Sequence, residues 1–367
     1  MGVIHITADR REEWNAFLAQ EPSFALLQSW EWGEFKGKLG WKAFRIAVEE
    51  QGQIVAGAQM LIKLVPLRLV SMAYVPRGPV GDWLDEGITS QLLSELHRVA
   101  RYHRAILLRV EPPLLHDPVT CQILQHHHFR ASPYTNQPRA TIIVDLTQDL
   151  DDILEQMPTK TRYNIRYAAR KGVTVRVGNQ EDLPAFYGLM QITSRRDGFS
   201  ARTRDYYEHE LQAFANREQV VLLLAYYEDQ LLAARMAFCL GNHAADIHAA
   251  SSSEYRNLRP NHLLVWAAMK WAKAHGCHTY DLWGIPDEVG EAAHEGKDLS
   301  RPDRTDGLWG VYRFKRGFGK NVVFYVCAHD YVYSPLWYAL VANKLVTAKT
   351  LDRIGVRMHS LSLVSTP

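Results

Sequence analysis

Apolar and polar positions along the chain fall into blocks whose period switches between two and about 3.6. "AFRIAVEEQGQIVAGAQMLIKLV" (43–65) holds two apolar runs around a Glu-Glu-Gln-Gly-Gln turn, which predicts a strand hairpin. "VGDWLDEGITSQLLSELHRVARYHR" (80–104) places apolar residues at 92, 93, 96, 99 and 100, one face of a helix in its second half. "AILLRVEPP" (105–113) predicts a buried strand stopped by Pro112 and Pro113. The same order returns further on. "VVLLLAYYEDQLLAARMAFCL" (220–240) predicts a second hairpin, turning at Glu228-Asp229-Gln230. "PNHLLVWAAMKWAKAHG" (260–276) predicts a helix with Pro260 at its start and Gly276 past its end. "CHTYDLWGIP" (277–286) predicts a strand stopped by Pro286.

Aligning Met60 with Met236 and Pro112 with Pro286 gives offsets of 176 and 174. Two markers that agree this closely point to a duplicated β-β-α-β unit. The expected fold class is therefore mixed α/β (α+β), with two related domains in tandem, residues 1–150 and 151–367. A chain of 367 residues is also longer than one ordinary core accommodates.

Composition narrows the class without choosing a function. The hydrophobic fraction is 47%, 22% of residues are charged and the formal net charge is +2, as in a water-soluble globular protein. Nucleic-acid contact, if any, must come from a local patch. Cys121, Cys239, Cys277 and Cys327 lack C-x-x-C spacing, which fits a reducing cytoplasm better than a disulfide framework or zinc ribbon. The opening "MGVIHITADRREEWNAF" reaches Asp, Arg and Glu before an apolar core could form, so a signal peptide is not expected. Apolar runs such as "VVLLLAYY" have strand length, short of a membrane span, although peripheral contact with a membrane surface stays open.

The segment between the two copies, "DDILEQMPTKTRYNIRYAARKGV" (151–173), carries the clearest patch. Pro158 breaks one short helix and starts another, and Gly172 ends it. Arg162, Arg166 and Arg170 recur every four residues, with Lys160 and Lys171 beside them and Tyr163 and Tyr167 one step round. No acid lies between Thr159 and Gly172 to form i,i+4 pairs, so this face reads as one that meets a polyanion, against a merely solvated face. Other motifs fail on geometry. The histidines of "QHHHFR" would alternate sides of a strand and have no H-E-x-x-H or Cys partner, so no metal is assigned. No G-x-S-x-G elbow exists for a serine hydrolase.

The repeated unit resembles the GNAT acyltransferase fold. The stretch matching that fold's pyrophosphate loop is "RNLRPN", where Arg259 and Asn261 replace small residues and Pro260 lacks an N–H. The scaffold is thus expected to have lost CoA. The chain as a whole is similar to the Fem aminoacyltransferases (FemA, FemB, FemX), in the shorter FemX form without a helical arm. Eight segments in order carry the likeness: "LLQSWEWGEFKGKLGW", "YVPRGPV", "NQPRATIIVDL", "KTRYNIRYAARKGV", "RRDGFSARTRDYY", "ASSSEYRNLRPNHLLVWAAMKWAKAHGC", "YDLWGIP" and "GLWGVYRFKRGFGK". The resemblance implies two tandem GNAT-like domains. It also implies a reaction in which the stem-peptide amine of a peptidoglycan precursor, lipid-linked or UDP-linked, attacks aminoacyl-tRNA, with no cofactor.

The resemblance further implies site residues. Lys315 of "YRFKRGFG" matches the catalytic lysine, expected as an ammonium for the developing oxyanion, with Arg313 and Arg316 on tRNA phosphate and Gly317 and Gly319 admitting the terminal adenosine. Lys36, Arg202 and Tyr206 match precursor contacts, Arg202 and Tyr206 being expected on one helical face, and Tyr255 is carried over with them. Glu111 of "RVEPP" stands where the family has an acid proposed to take the amine's proton. Two other classes remain: a GNAT-type N-acyltransferase using an acyl thioester, and a non-catalytic binder of tRNA or precursor.

Overall fold

The computed structural model describes residues 1–65, 69–297, 304 and 306–342. Chain order begins β1 (Gly2–His5), α1 (Arg11–Ala19), α2 (Trp30–Lys38), β2 (Lys42–Glu50), β3 (Gln53–Leu64), β4 (Ser71–Val75) and β5 (Val80–Gly81). It continues through α3 (Glu86–Tyr102), β6 (Ala105–Val110), α4 (Pro118–His126), β7 (Arg130–Ala131), β8 (Ala140–Asp145), α5 (Leu150–Gln156) and α6 (Thr159–Arg170). Then come β9 (Thr174–Val177), α7 (Leu183–Asp197), α8 (Arg204–Ala215), β10 (Val220–Tyr227), β11 (Gln230–Leu240) and β12 (His243–Ser251). The last elements are α9 (Pro260–Ala274), β13 (Thr279–Ile285), α10 (Asp287–His294), α11 (Leu308–Lys315), β14 (Asn321–Phe324), β15 (His329–Val332) and α12 (Pro335–Ala342).

Two compact units result. Of the described residues, the first comprises 1–137 and 325–342, the second 138–324. The sequence boundary at 150/151 leaves β8 with the first half, but β8 pairs with β13 and β14 in the second sheet. The tail was grouped with the second half, yet β15 pairs with β6 and β7 of the first sheet. Residues 343–367 lie outside the described residues. Short apolar strands such as β8 and β15 carry no sequence mark of which sheet will accept them.

The first sheet runs β1-β2-β3-β4-β6-β15-β7, with β5 on β3. The second runs β14-β8-β13-β12-β11-β10-β9. The repeat is visible in the pairing. Each unit has a three-strand antiparallel meander, a crossover helix and a strand parallel to the meander's third: β2-β3-β4-α3-β6 and β10-β11-β12-α9-β13. The sequence reading found two meander strands in each copy. The third strand of each meander, β4 and β12, is absent from that reading.

The helices begin and end where their side chains dictate. The Asp85 carboxylate accepts the Ile88 N–H at 3.0 Å to start α3, which buries Leu92, Leu93, Leu96 and Val99 against Ile46, Val48, Ala58 and Met60. In the second unit α9 buries Leu264, Val265, Ala268 and Met269 in a core shared with Leu223, Leu232 and the inner face of α6 (Ile165, Ala168). Gly172 and Gly276 follow α6 and α9 at φ +87° and +79°, the left-handed positions foreseen for them. Among the described residues no helix is long and apolar enough to cross a membrane.

Candidate active site

In the second unit the chemistry gathers where two strands part. β12 and β13 are parallel and paired only over His243–Ala245 and Thr279–Asp281, after which their remaining lengths diverge. Bulges on both sides of the gap re-aim the side chains. One lies between Met236 and Ala237 of β11, opposite His248 and Asp246, and leaves Ile247 without a register partner. The other lies between Asp281 and Gly284 of β13, where Trp283 takes φ +64°.

Three charged residues with little exposure surround this gap. Arg235 and Asp246 form an ion pair at 4% and 5% exposure. Asp281 accepts the Thr141 hydroxyl and, at 2.7 Å, the Trp283 N–H. The Arg235 Nε, the Asp246 Oδ1 and the Tyr280 hydroxyl are buried with no hydrogen-bond partner. Leaving such atoms unpaired costs about 1–3 kcal/mol each, a sign that the cluster serves more than stability.

Lys315, the last residue of α11, turns its Nζ into this cluster and donates to the Gly284 carbonyl at 2.7 Å. Burial, reinforced by Arg235 and opposed by Asp281, brings its pKa down to about 7. The sequence reading expected a standing ammonium. The structure places an amine whose charged form is disfavoured, first by its burial and then by the neighbouring Arg235.

The glycines of "KRGFGK" do not leave room for a base as expected. A Cβ on Gly317 would stand 2.5 Å from the Thr161 Oγ1, and one on Gly319 2.9 Å from the Val144 Cγ2. They let the loop press onto α6 and β8. Phe314 and Phe318 likewise pack on each other at 5.2 Å and around His262, at 5.0 Å and 5.9 Å. His262 meets the Asn164 amide at 3.1 Å, and burial, with Arg259 and Lys160 adding to it, lowers its pKa to about 4. Lys160 thus stands near the loop that carries Lys315. Arg313 is exposed, and Arg316 lies 5.9 Å over the Tyr312 ring.

Helix α6 keeps part of its expected basic face. Arg166 and Arg170 are exposed, Arg170 lies over Tyr163, Lys171 lies over Tyr167, and the two rings stack at 5.6 Å. Arg162 departs from the pattern. Its Nη1 donates to the Glu155 and Met157 carbonyls at 2.5 Å and 3.2 Å, closing the C-terminal end of α5.

Arg202 is not on a helix with Tyr206. Helix α8 begins at Arg204 with Thr203 as its cap, yet the Arg202 guanidinium still lies 5.5 Å over the Tyr206 ring. Burial raises the Tyr206 phenol well above its usual value, and the neighbouring Glu210, bonded to His248 at 2.7 Å, adds to the rise. Tyr255 sits at φ +49° against Tyr227 at 5.5 Å.

The first unit holds Lys36 and Glu111. The Lys36 Nζ lies over the Trp32 and Phe35 rings at 4.7 Å and 4.8 Å. Glu111 is buried, and both of its oxygens are engaged. One accepts the Tyr74 hydroxyl, which in turn accepts the Gln137 amide at 3.0 Å. The other accepts the Asn136 and Gln137 N–H groups at 2.6 Å and 3.3 Å. Burial raises the Glu111 pKa despite these bonds.

Arg235, Asp246 and Asp281 were not singled out from the sequence. Their signal was there: single charges inside the apolar strands "LLAARMAFCL", "HAADIHAA" and "TYDLWGI" are costly unless they are paired.

Comparison with known proteins follows the same outline. The family model described as FemAB family matches residues 10–125, 122–228 and 224–344. The chain is 26% identical to the lipid II:glycine glycyltransferase of Staphylococcus saprophyticus, over 91% of this chain and 95% of that protein. It is 25% identical to the protein of that name from Staphylococcus aureus strain MRSA252, over 93% and 95%. Among solved structures, FemX superposes with a TM-score of 0.81 at 25% identity, covering 94% of this chain and 100% of that one. A tandem GNAT protein from the clavulanic acid biosynthesis pathway gives 0.56 at 12% identity, covering 91% and 98%, a likeness of fold alone.

Proposed function

Because the chain belongs to the FemAB family, we propose that it is an aminoacyltransferase that moves an amino acid from aminoacyl-tRNA to the stem-peptide amine of a lipid-linked peptidoglycan precursor. The relatives named lipid II:glycine glycyltransferases support the acceptor class. The observation that carries the reading is Lys315, an amine with its pKa brought to about 7 and held on the Gly284 carbonyl where β12 and β13 part.

A pKa near the working pH suits an acid–base catalyst. The acceptor amine attacks the ester carbonyl carbon. As the C–N bond forms, neutral Lys315 takes the amine's proton. The resulting ammonium stabilises the tetrahedral oxyanion and delivers the proton to the ribose oxygen as the C–O bond breaks. Protons balance without a covalent enzyme intermediate, since the ester is already activated. Burial, with Arg235 adding to it, favours the neutral lysine, and Asp281 offsets part of that so the ammonium can form.

The donor tRNA is assigned to the cations of the same unit. Lys160, Arg166 and Arg170 of α6, with Arg313 and Arg316, meet phosphate, whereas Arg162 holds the end of α5. Lys36, Arg202, Tyr206 and Tyr255 are assigned to the precursor. Glu111, whose two oxygens accept three hydrogen bonds, anchors residues 136–137 and takes no proton in this scheme.

The test is incubation with a mixed pool of charged tRNAs and with lipid-linked and UDP-linked precursors, read by mass spectrometry. An aminoacyl mass added to the lipid-linked precursor, dependent on the tRNA ester and on Lys315, is expected. Transfer from an acyl thioester instead, or transfer unchanged in Lys315→Met, refutes the assignment.

A further inference from the structure

One end of the first sheet carries a feature the transfer chemistry does not use. Leu64 and Leu69 flank the approach of β3 to β4 and are 55% and 59% exposed. The strands are tied there, since Leu64 pairs with Ser71 and the Val65 N–H donates to the Val70 carbonyl at 3.0 Å. The C-terminal end of α3 reaches the same place. The Ser71 N–H donates to the Arg104 carbonyl at 3.0 Å and the Ser71 hydroxyl to the His103 carbonyl at 2.7 Å. Tyr102, beside His103, is 79% exposed.

Helix α12 completes this end. Trp337 and Tyr338 pack with Trp41 and Val70 on Met72, Ile106 and Leu107. That anchoring leaves Leu336 outward at 73% exposure. Four large apolar side chains thus project from a base made of their own aromatic neighbours. Scattered apolar residues need no explanation, but a group on one small surface does.

The exposed charges beside them are cationic, whereas Asp330, which Tyr338 bonds, is fully buried against Arg109. Lys42 lies over Phe44 at 5.2 Å, Lys63 over Trp41 at 5.3 Å and Arg101 over Tyr333 at 5.2 Å, with Arg104 exposed beside them. No Asp or Glu occurs in residues 36–48, 53–65, 69–81, 96–110 or 331–342, the stretches that build this end. Leucine tips among lysine and arginine stems, backed by Trp and Tyr, match the layered polarity of a bilayer surface: acyl boundary, then anionic headgroups. A second copy of the chain fits poorly, because two such faces would bring like charges together.

We infer that this end of the first unit, with Leu64, Leu69 and Leu336 as its tips and Lys42, Lys63, Arg101 and Arg104 as its rim, docks on an anionic lipid membrane surface. It agrees with a lipid-linked acceptor, but it stands on the surface itself and can be tested without any transfer reaction. Burial of Lys63 already lowers its pKa in the protein alone, so an anionic headgroup would favour its charged form.

The experiment is co-sedimentation of the purified chain with vesicles of phosphatidylcholine, alone or mixed with phosphatidylglycerol, at two salt concentrations. Binding to the anionic vesicles, weakened by salt, is expected, with little binding to phosphatidylcholine alone. The triple variant Leu64→Ser/Leu69→Ser/Leu336→Ser should bind anionic vesicles about tenfold or more weakly, with an unchanged circular dichroism spectrum. Lys42→Glu/Arg104→Glu, which leaves the apolar tips intact, should lose binding as well. Failure of the native chain to pellet with anionic vesicles overturns the inference, as does equal pelleting of the triple variant. So does an equilibrium ultracentrifugation result in which the native chain is a dimer and the triple variant a monomer. If vesicle binding holds while no aminoacyl transfer is found, the surface assignment stands and the proposed reaction falls.

Discussion

Replacing Arg235 by Met should move the pH at which the site works. Lys315 is brought from an ordinary 10.5 to about 7, first by burial and then by Arg235, against the pull of Asp281. The substitution leaves the burial, removes the repulsion, and frees the Asp246 carboxylate to attract the ammonium. Opposite charges at such range commonly shift a pKa by about one to three units, so a rise of roughly one unit or more is expected. The assay is single-turnover transfer with both substrates saturating, followed from pH 6 to pH 9.5. With neutral Lys315 as proton acceptor, the native rate rises with pH and levels off above about 7. In Arg235→Met the plateau should start about one unit higher, with a loss of about fivefold near pH 7 that is recovered near pH 9. Breaking a buried pair costs about 3–5 kcal/mol of stability, so melting curves must show the variant folded at the assay temperature. Arg235→Met/Asp246→Asn, which removes both charges, should return part of the shift. A loss of equal size at every pH would mean that Arg235 only shapes the site, and the electrostatic account would be refuted.

The remaining predictions test single residues. Lys315→Met should lower turnover by a hundred- to a thousandfold, roughly the value of one transition-state donor, with both substrates still bound; weaker tRNA binding with intact single-turnover chemistry would reduce the lysine to a phosphate contact. The same variant tests linkage: the folded lysine titrates below its unfolded value, so its burden on stability is full below about pH 7 and fades as pH rises toward 10.5. Lys315→Met should therefore gain melting temperature at pH 6 and lose that gain by pH 10. Arg166→Ala/Arg170→Ala should reduce the slope of log tRNA affinity against log salt by about 1.5 to 2, whereas Arg162→Ala should leave the slope alone and cost about 1 kcal/mol of stability. Glu111→Gln should keep single-turnover transfer within about tenfold of native; a thousandfold loss would restore it as a base.

The sequence made the fold legible where periodicity is long or repeated. Helices α3 and α9 and the two hairpins could be placed from their apolar positions, and the duplication followed from two markers. The partners of β8 and β15 could not, because strands of six and four residues satisfy either sheet until the chain has closed. At the site, Lys315 was legible by family resemblance, but its state was not. The pKa depends on burial that the fold creates and on a cation 80 positions earlier in the sequence, beside a bulge that no local pattern announces. Gly317 illustrates the same limit. Its need for a small residue could be read, but the atom that enforces it, the Thr161 Oγ1, belongs to another helix.

The duplicated units differ at the matching parallel strand pair. In the first, β4 pairs with β6 from Ser71 and Ala105 through a register shift at Met72 to Val75 and Val110, the far end of β4. In the second, β12 leaves β13 after three residues. A closed parallel pair satisfies its backbone and has no opening; in the first unit the polar groups near its end, Tyr74, Glu111 and Gln137, bond to one another. The parted strands have no such closure; Arg235, Asp246 and Tyr280 keep unpaired atoms inside the protein, and Lys315 reaches the Gly284 carbonyl near Arg235 and Asp281. Removing one of these unpaired atoms should then add stability. Tyr280→Phe removes one unpaired hydroxyl without changing shape, and should raise the melting temperature by a few degrees. If the hydroxyl serves only as part of an unsatisfied cluster, transfer by Tyr280→Phe stays within about threefold of native at the plateau. A fall in melting temperature would show that the hydroxyl is satisfied by solvent in the gap, and that the parted strands store no such penalty.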